Sequence, residues 1–500
     1  MIQKSIFYFS LIITFCYCKK PTEVTQIVEN EITTSPPIEF DLEKILERGK
    51  ILAAVENNST GYFTYRGRTM GYEYELLEEF AKYLGVEFEI VITKNIEEAF
   101  ELVNKGDVDI IAFTLTITKE RKKRLLFADY QYTIRQVLVQ RKPDNWRDIP
   151  QHRTEAQLIR NQVDLIGKEV HVRYRSSYLD RILNLSEEIG GDIVVIEENE
   201  TLETEDLILK VAQGDFAYTI SDEDIAKVNA GYYPILDVKT PVSFPTQIAW
   251  AVRLNAPKLR DKINVWQKNI KRAPTFNVIY NKYFESPRAS ASRKTSDYFS
   301  EAGGKISEYD QFMIEGARRL GWDWRLFAAL VYRESKFDPK IKSWAGAMGL
   351  MQVMPNTGKQ YGITQLYDPE QNIKAGTEHL IWLTKYFQDK VPDFRQRLPF
   401  VVASYNVGLG HVIDARNLTE KYGKDKYTWF GSVDEYMKLK SKPKYYNDPI
   451  VKYGYARGSE PVNYVEAIRI IYRDYRNLFE EKPEHSEKGL NVDLIQDVVN

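Results

Sequence analysis

The stretch that decides the fold of the C-terminal part of the chain is Gly321 to Thr357, GWDWRLFAALVYRESKFDPKIKSWAGAMGLMQVMPNT. Its first part has the pattern of an amphipathic helix. Asp323 is placed to cap the free amides of the first turn. Leu326, Phe327, Leu330 and Val331 recur at helical spacing and form the face expected to be buried. Glu334 falls four residues after Leu330 and three after Val331, so it extends the apolar stripe. Asp338-Pro339 is expected to stop the helix. A carboxyl group at the end of a buried stripe is partly desolvated, which raises its pKa and keeps it protonated near neutral pH, as a general acid requires. The competing reading is a helix-end glutamate held in a salt bridge.

The company of Glu334 separates these readings. Gly349-Leu350-Met351-Gln352 follows, then Met354-Pro355, and further on Ala403-Ser404-Tyr405-Asn406 with Gly408 and Gly410. Together with Glu334-Ser335 and Asn463-Tyr464-Val465, these motifs resemble the catalytic domain of the soluble-lytic-transglycosylase family, whose fold is similar to goose-type lysozyme. Four ordered motifs over roughly 130 residues are far more specific than any one of them. Ser404 stands where many relatives have Ala. The late stretches Gly408 to Arg416, Lys442 to Tyr446 and Tyr453 to Gly458 resemble one branch of that family, in which a solute-binding-like domain precedes the enzyme.

The chain has 500 residues, enough for two or three domains at roughly 150 each. Its formal net charge is −2, so no nucleic acid is expected as a partner. The 33 tyrosines suit carbohydrate stacking but are equally a matter of lineage. Residues 1–18 read as a signal peptide. Lys4 supplies a positive start, and Ser5 to Tyr17 is an apolar run too short to span a bilayer comfortably. The two cysteines, Cys16 and Cys18, end it. Two residues apart they make a poor disulfide, and the segment resembles a bacterial lipoprotein signal. Cys18 is the expected lipid attachment site, which would tether an exported, periplasmic protein to the outer membrane. An ordinary cleaved signal peptide is the alternative. Residues 19–41 read as a polar tether.

Residues 42–285 alternate strand and helix patterns, which argues for a largely parallel α/β sheet. Ile51 to Val55, Val86 to Ile92 and Val108 to Phe113 read as strands, with helices at Gly71 to Gly85 and Ile96 to Asn104. A second set runs from Glu169 to Ile220. Gly71 to Leu76, Gly106 to Asp109, Thr116 to Arg121 and Phe127 to Asp129 resemble the extracellular solute-binding proteins of the polar amino-acid type. The resemblance implies two lobes around a hinge, with lobe one at about 45–140 and 241–285 and lobe two at about 141–240. It also implies that Arg121 grips a ligand carboxylate with Thr116 on the same loop, and that Asp222 holds a ligand amine. Ser176 and Ser177 would offer helix N-terminal amides. The pattern departs at Arg175, where Gly is usual, and at Glu75, where Asp is frequent. The ligand would be an amino acid, a peptide or a muropeptide. Surface salt bridges are the alternative roles of Arg121 and Asp222.

Residues 286–305 are rich in Ser and Ala and read as a linker. Residues 306–480 read as mainly helical, and 481–500 as a tail. The expected fold class is therefore a two-lobed α/β periplasmic-binding-protein-like domain followed by a mainly α, lysozyme-like domain.

A two-carboxyl glycosidase needs a second acid, about 5 Å from the first in a retaining enzyme and further in an inverting one. The sequence offers one strong candidate, Glu334. Asp338 lies past the helix end, and Asp414 sits outside the motifs. The family resemblance implies that Glu334 protonates the β-1,4 MurNAc–GlcNAc oxygen of peptidoglycan and then deprotonates the sugar's 6-hydroxyl, giving 1,6-anhydro-MurNAc. By the same carry-over Ser335 contacts the carboxyl or the sugar, and Met351 and Gln352 line the groove. Tyr405 and Asn406 position Glu334 or the acetamido group, and Tyr464 lines the groove further on. Core packing is the alternative for Met351 and the aromatics. No metal and no organic cofactor is expected, since the histidines lack ligand spacing. Alternatives of other kinds are a muramidase that hydrolyses, and a receptor with an inactive enzyme-like domain.

Overall fold

The computed structural model describes residues 36–93, 95–199, 202–285, 293, 296–300 and 304–479. The segment read as a signal peptide, both cysteines, most of the segment read as a tether and the segment read as a tail lie outside the described residues.

The front half is two lobes, each built on a five-stranded sheet. In the first sheet the strand order is Glu87–Ile92, Lys50–Val55, Ile110–Ile111, Ala251–Arg253, Leu125–Phe127. The first three run parallel. Ala251–Arg253 is antiparallel to both its neighbours. In the second sheet the order is Val194–Glu197, Glu169–Val172, Tyr218–Asp222, Gln136–Arg141, Leu236–Pro241. Here Gln136–Arg141 is antiparallel to both flanking strands. The sheets are thus mixed, where strand and helix alternation predicts a largely parallel arrangement. The physical reason is the hinge: the strand that brings the chain into each lobe from the hinge end, Ala251–Arg253 in the first and Gln136–Arg141 in the second, runs against the strands of the βα units.

The hinge corrects the lobe boundaries as well. Tyr132–Ile134 pairs antiparallel with Thr246–Ile248, and these two segments form their own two-stranded ribbon. Gln136–Arg141 therefore belongs to lobe two, not to the end of lobe one. Amphipathic helices cover both sheets. Phe80, Trp250 and Trp266 pack together beneath the first, with the two indoles stacked at 5.4 Å. Arg253, fully buried, ties Asp109 and the carbonyls of Val103 and Val108 into the same lobe.

The back half is helical around a single core. Its centre is the helix Trp324–Ser335, packed between Asp310–Leu320 and Ser459–Leu478. The expected stripe Leu326, Phe327, Leu330 and Val331 is buried, and so are Ala328 and Ala329 on the opposite side. Small residues there let a second helix approach, so the element is enclosed on every side from Trp324 to Val331 and opens only at Tyr332, Arg333 and Glu334.

The two halves are joined through Ser459–Leu478. Glu87–Ile92 is an edge strand of the first sheet, with backbone groups that need partners. Arg473 and Asn477 donate to the carbonyls of Phe88 (3.1 Å) and Ile90 (3.2 Å). Tyr475 donates to the carbonyl of Gly67 at 2.6 Å. Gly67 is the tip of a hairpin from lobe one. A Cβ there would lie 2.4 Å from the Phe337 ring and 2.8 Å from the Tyr475 hydroxyl, so only glycine fits this socket. Residues 298–300, in the segment read as a linker, also pack. Arg66 donates to the carbonyl of Tyr298, Ser300 pairs with Thr64, and Phe299 is buried in lobe one. Among the described residues no helix is long and apolar enough to cross a membrane.

Candidate active site and ligand cleft

The Glu334 helix is anchored at both ends. Asp323 accepts from the Arg325 amide at 2.9 Å, as an N-cap should, and also from the Tyr472 hydroxyl at 2.9 Å. The helix ends at Ser335, ahead of Asp338-Pro339, because Lys336 and Phe337 take left-handed backbone (φ 52° and 64°). Such consecutive non-glycine residues carry strain that surrounding packing must sustain. Ser335 is buried, and its hydroxyl bonds the Val331 carbonyl and the Phe337 amide. That hydroxyl is spent on closing the helix, and is not directed at the carboxyl.

Glu334 is half-buried, and the Tyr464 hydroxyl donates to its Oε1. Burial pushes its pKa up to about 7, while the Tyr464 hydrogen bond and the Arg333 charge pull it back. Tyr464 comes from Ser459–Leu478, the helix that also grips lobe one. Tyr405 is close enough that the Glu334 charge adds to burial in raising its own pKa. Among the described residues no second carboxylate contributes to the ionisation of Glu334.

The Gly349–Gln352 turn is held by a residue the motifs do not single out. Asn372, fully buried, accepts from the Met351 amide at 2.7 Å. It donates to the carbonyls of Met348 (2.8 Å) and Leu366 (2.7 Å). Gly349 sits against Asn372 with φ +74°, where a Cβ would clash with the Leu366 carbonyl at 2.2 Å. The Met351 side chain is fully buried against Gly376, so it packs the core and does not line a groove. Its carbonyl accepts from the Tyr405 hydroxyl at 2.8 Å. Gln352, at φ 50°, donates to the carbonyls of Gly349 (2.9 Å) and Ile341 (3.2 Å). Asn406 is exposed beside Tyr405. Glu334, Tyr405, Tyr464 and the Gly349–Gln352 turn are therefore gathered at one place from four separated segments. Trp344, 98 % exposed on a turn closed by the Gly346 amide and the Ser343 carbonyl, is a surface aromatic that the motifs also do not mark.

In the front half, Arg121 is held at the mouth of lobe one by donation to the Thr116 carbonyl at 3.0 Å. Burial lowers its pKa, and Asp180, Tyr178, Asp222 and Glu56 oppose that. Asp222 ends the strand Tyr218–Asp222 in lobe two and is buried, with Oδ1 unpaired. Burial and the neighbouring Asp224 raise its pKa. Arg121 and Asp222 thus face one electrostatic environment across the lobes. Ser177 accepts from Gln136 at 3.2 Å, and the Ser176 hydroxyl donates to the Arg173 carbonyl at 2.6 Å. The lobes are latched by Arg173, which reaches Glu56 at 2.9 Å and Glu203 at 2.7 Å. Ser59 donates to Glu205 at 2.5 Å nearby. A cavity of about 580 Å³ adjoins this latch, lined by Glu56, Asn58, Arg173, Glu205 and Tyr233 among others. Among the described residues no cluster of His, Cys, Asp and Glu is arranged to hold a metal.

Comparison with known proteins adds to this geometry. The family described as bacterial extracellular solute-binding proteins, family 3, matches residues 51–286. The transglycosylase SLT domain matches residues 311–428. The chain is 35% identical to a membrane-bound lytic murein transglycosylase F of Desulfosudis oleivorans, over 86% of this chain and 91% of that one. It is 31% identical to the protein of the same name in Pseudoalteromonas translucida, over 96% of each. A solved mutant of ArgBP from T. maritima is 25% identical over 49% of this chain and 98% of that one, with a TM-score of 0.41. A half-buried carboxyl set among the four motifs, behind a two-lobed binding module and matched along nearly the whole chain, makes this protein a member of the membrane-bound lytic murein transglycosylase F family.

Proposed function

We propose that the protein cleaves peptidoglycan without water, at the β-1,4 bond between MurNAc and GlcNAc. The observation that carries this is a single half-buried carboxyl, Glu334, whose pKa of about 7 lets it act first as acid and then as base. The protonated carboxyl gives its proton to the glycosidic oxygen, the C1–O bond breaks, and GlcNAc leaves with a new 4-hydroxyl. The carboxylate then takes the proton of the MurNAc 6-hydroxyl, whose oxygen closes on C1. One carboxyl suffices because the sugar supplies its own nucleophile, where a two-carboxyl hydrolase must activate water. Tyr464 orients Glu334 and stabilises its charged form between the two steps. Tyr405, fixed by the Met351 carbonyl, and exposed Asn406 border the reacting sugar, with Gln352 on the adjoining turn. Digestion of purified peptidoglycan followed by mass spectrometry tests this. Products about 18 Da lighter than hydrolysed muropeptides, one water less, should appear and be lost in Glu334→Gln. Hydrated products would refute it.

The front domain takes a small ligand bearing a carboxylate and an amine, an amino acid or a peptide of the cell wall, between Arg121 and Asp222. Its binding tunes or targets the enzyme, since lobe one and Glu334 share the helix Ser459–Leu478. A ligand that stabilises the wild type, but not Arg121→Ala, against heat while leaving turnover unchanged would reduce the domain to targeting. The mature protein is exported to the periplasm and anchored to the outer membrane through lipid on Cys18. Release of Cys18→Ala from the membrane fraction tests the anchor.

A further inference from the structure

One face of the helix Pro369–Gln388 carries rings in an unbroken series that begins at the active site. Tyr405 meets His379 at 5.6 Å, and His379 stacks on Trp382 at 5.6 Å with planes 13° apart. Trp382 meets Tyr386 at 6.4 Å. The Tyr361 hydroxyl flanks the series, 3.4 Å from His379 Nδ1. His379, Trp382 and Tyr386 are spaced i, i+3 and i+7, which puts them on one helix face. A stripe of this spacing ordinarily packs a core. Here it does so only at one end: Tyr386 leans against the core, while Trp382 is 43 % exposed and His379 and Tyr361 are half-buried. The face is a surface ridge held in place by ring-on-ring contact.

From this continuity we infer that the ridge is a distal subsite of the glycan groove, where Trp382 stacks an N-acetylhexosamine ring some sugars removed from the bond cleaved at Glu334. A pyranose presents an apolar face of C–H groups, which suits the electron-rich face of an indole. The ridge starts at Tyr405, whose hydroxyl holds the Met351 carbonyl, so a strand bound at Glu334 has a ready path along it. Burial lowers the His379 pKa, which favours the uncharged imidazole as a stacking surface. Short substrates end before the ridge, and long strands reach it. Trp382 therefore sets the preference for long strands through binding, without touching the reacting atoms.

The inference rests on the transglycosylase reading, and the test separates the two. Glycan strands stripped of peptide are sorted by length, and anhydro-product formation is followed with the full chain. In Trp382→Ala, KM on long strands should rise at least about fivefold, the scale of one lost ring-on-ring stack. The advantage of long over short strands should vanish, and kcat on long strands should stay within about twofold of wild type. Trp382→Phe should restore the length preference, which excludes a simple folding defect. If Trp382→Ala keeps the wild-type length dependence, or loses kcat in place of affinity, the ridge is not a subsite. If the wild type itself releases no anhydro products from any strand, the underlying reading fails instead.

Discussion

Replacing Tyr464 by Phe removes one hydroxyl and tests the electrostatics of the site. That hydroxyl donates to Glu334 Oε1 and favours the ionised carboxylate, against burial, which holds the pKa at about 7. A hydrogen bond to a charged group contributes about 1.5–3 kcal/mol, and one pKa unit corresponds to about 1.36 kcal/mol. Water reaches a half-buried carboxyl and replaces part of the lost bond, so the shift should be about one unit. Its sign is upward, because a partner of the charged form has been removed. Glu334 must be protonated to start the reaction, so kcat/KM falls as pH rises through its pKa. The alkaline limb should move from about pH 7 to about pH 8 in Tyr464→Phe. The plateau below it should fall, since a positioning contact is also lost. The assay is release of anhydro-muropeptides across buffers from about pH 5 to about pH 9, with substrate below KM. A limb that stays in place or moves to lower pH would refute the view that Tyr464 stabilises the Glu334 anion.

Three further outcomes follow from the same geometry. The Glu334 carboxyl has a folded pKa of about 7 against 4.5 when free, so it costs stability as pH rises between those values. Glu334→Gln should therefore raise the free energy of unfolding above pH 7, by at most about 3.4 kcal/mol, with the gain gone below about pH 4.5; a gain independent of pH contradicts this. In Gly376→Ala the new methyl would lie 2.3 Å from Met351 Sδ and 2.9 Å from its Cβ, so the Gly349–Gln352 turn must shift. The expected cost is about 1–3 kcal/mol with reduced activity, and thermal unfolding beside turnover checks both. In Gly67→Ala a methyl meets the Phe337 ring and the Tyr475 hydroxyl, so the hairpin should leave its socket. Calorimetry should then show the two halves unfolding apart, and an unchanged profile would mean that the socket adds no coupling.

The helix Ser459–Leu478 links these effects. Tyr464 meets the Glu334 carboxyl near its start, and Arg473, Tyr475 and Asn477 meet lobe one near its end. Lobe two contacts lobe one through the hinge and through the Arg173 latch. A closing ligand would thus move lobe two against a unit formed by lobe one and the enzyme.

Much of this was legible in the residues. The Asp323 cap, the buried stripe, Glu334 at its end and the raised pKa follow from spacing and burial alone, because helical periodicity is a local property. The strands Glu169–Val172 and Lys50–Val55 stand where β-rich runs put them. The motifs also brought Tyr405 and Tyr464 to the site, although 59 residues separate them in the chain. Other features depend on who packs against whom. The Met351 side chain turned inward because Gly376 leaves room for it, and no local pattern distinguishes a groove methionine from a core one. Ser335 closes its helix because two left-handed residues follow. The parallel sheets became mixed because the hinge reverses the crossing strands. Residues 298–300 gained a place beside Thr64, where composition alone reads as linker.

By itself, the sequence determined the two-part organisation, the helix that carries Glu334 and the chemical type of the site, since each is written in short-range spacing or in ordered motifs. The tertiary structure decided which hydroxyl holds Glu334, that Asn372 shapes the turn beside it, and that one helix serves both the carboxyl and lobe one. Those are contacts between segments far apart in the chain, and they exist only once burial has chosen which polar groups must find each other.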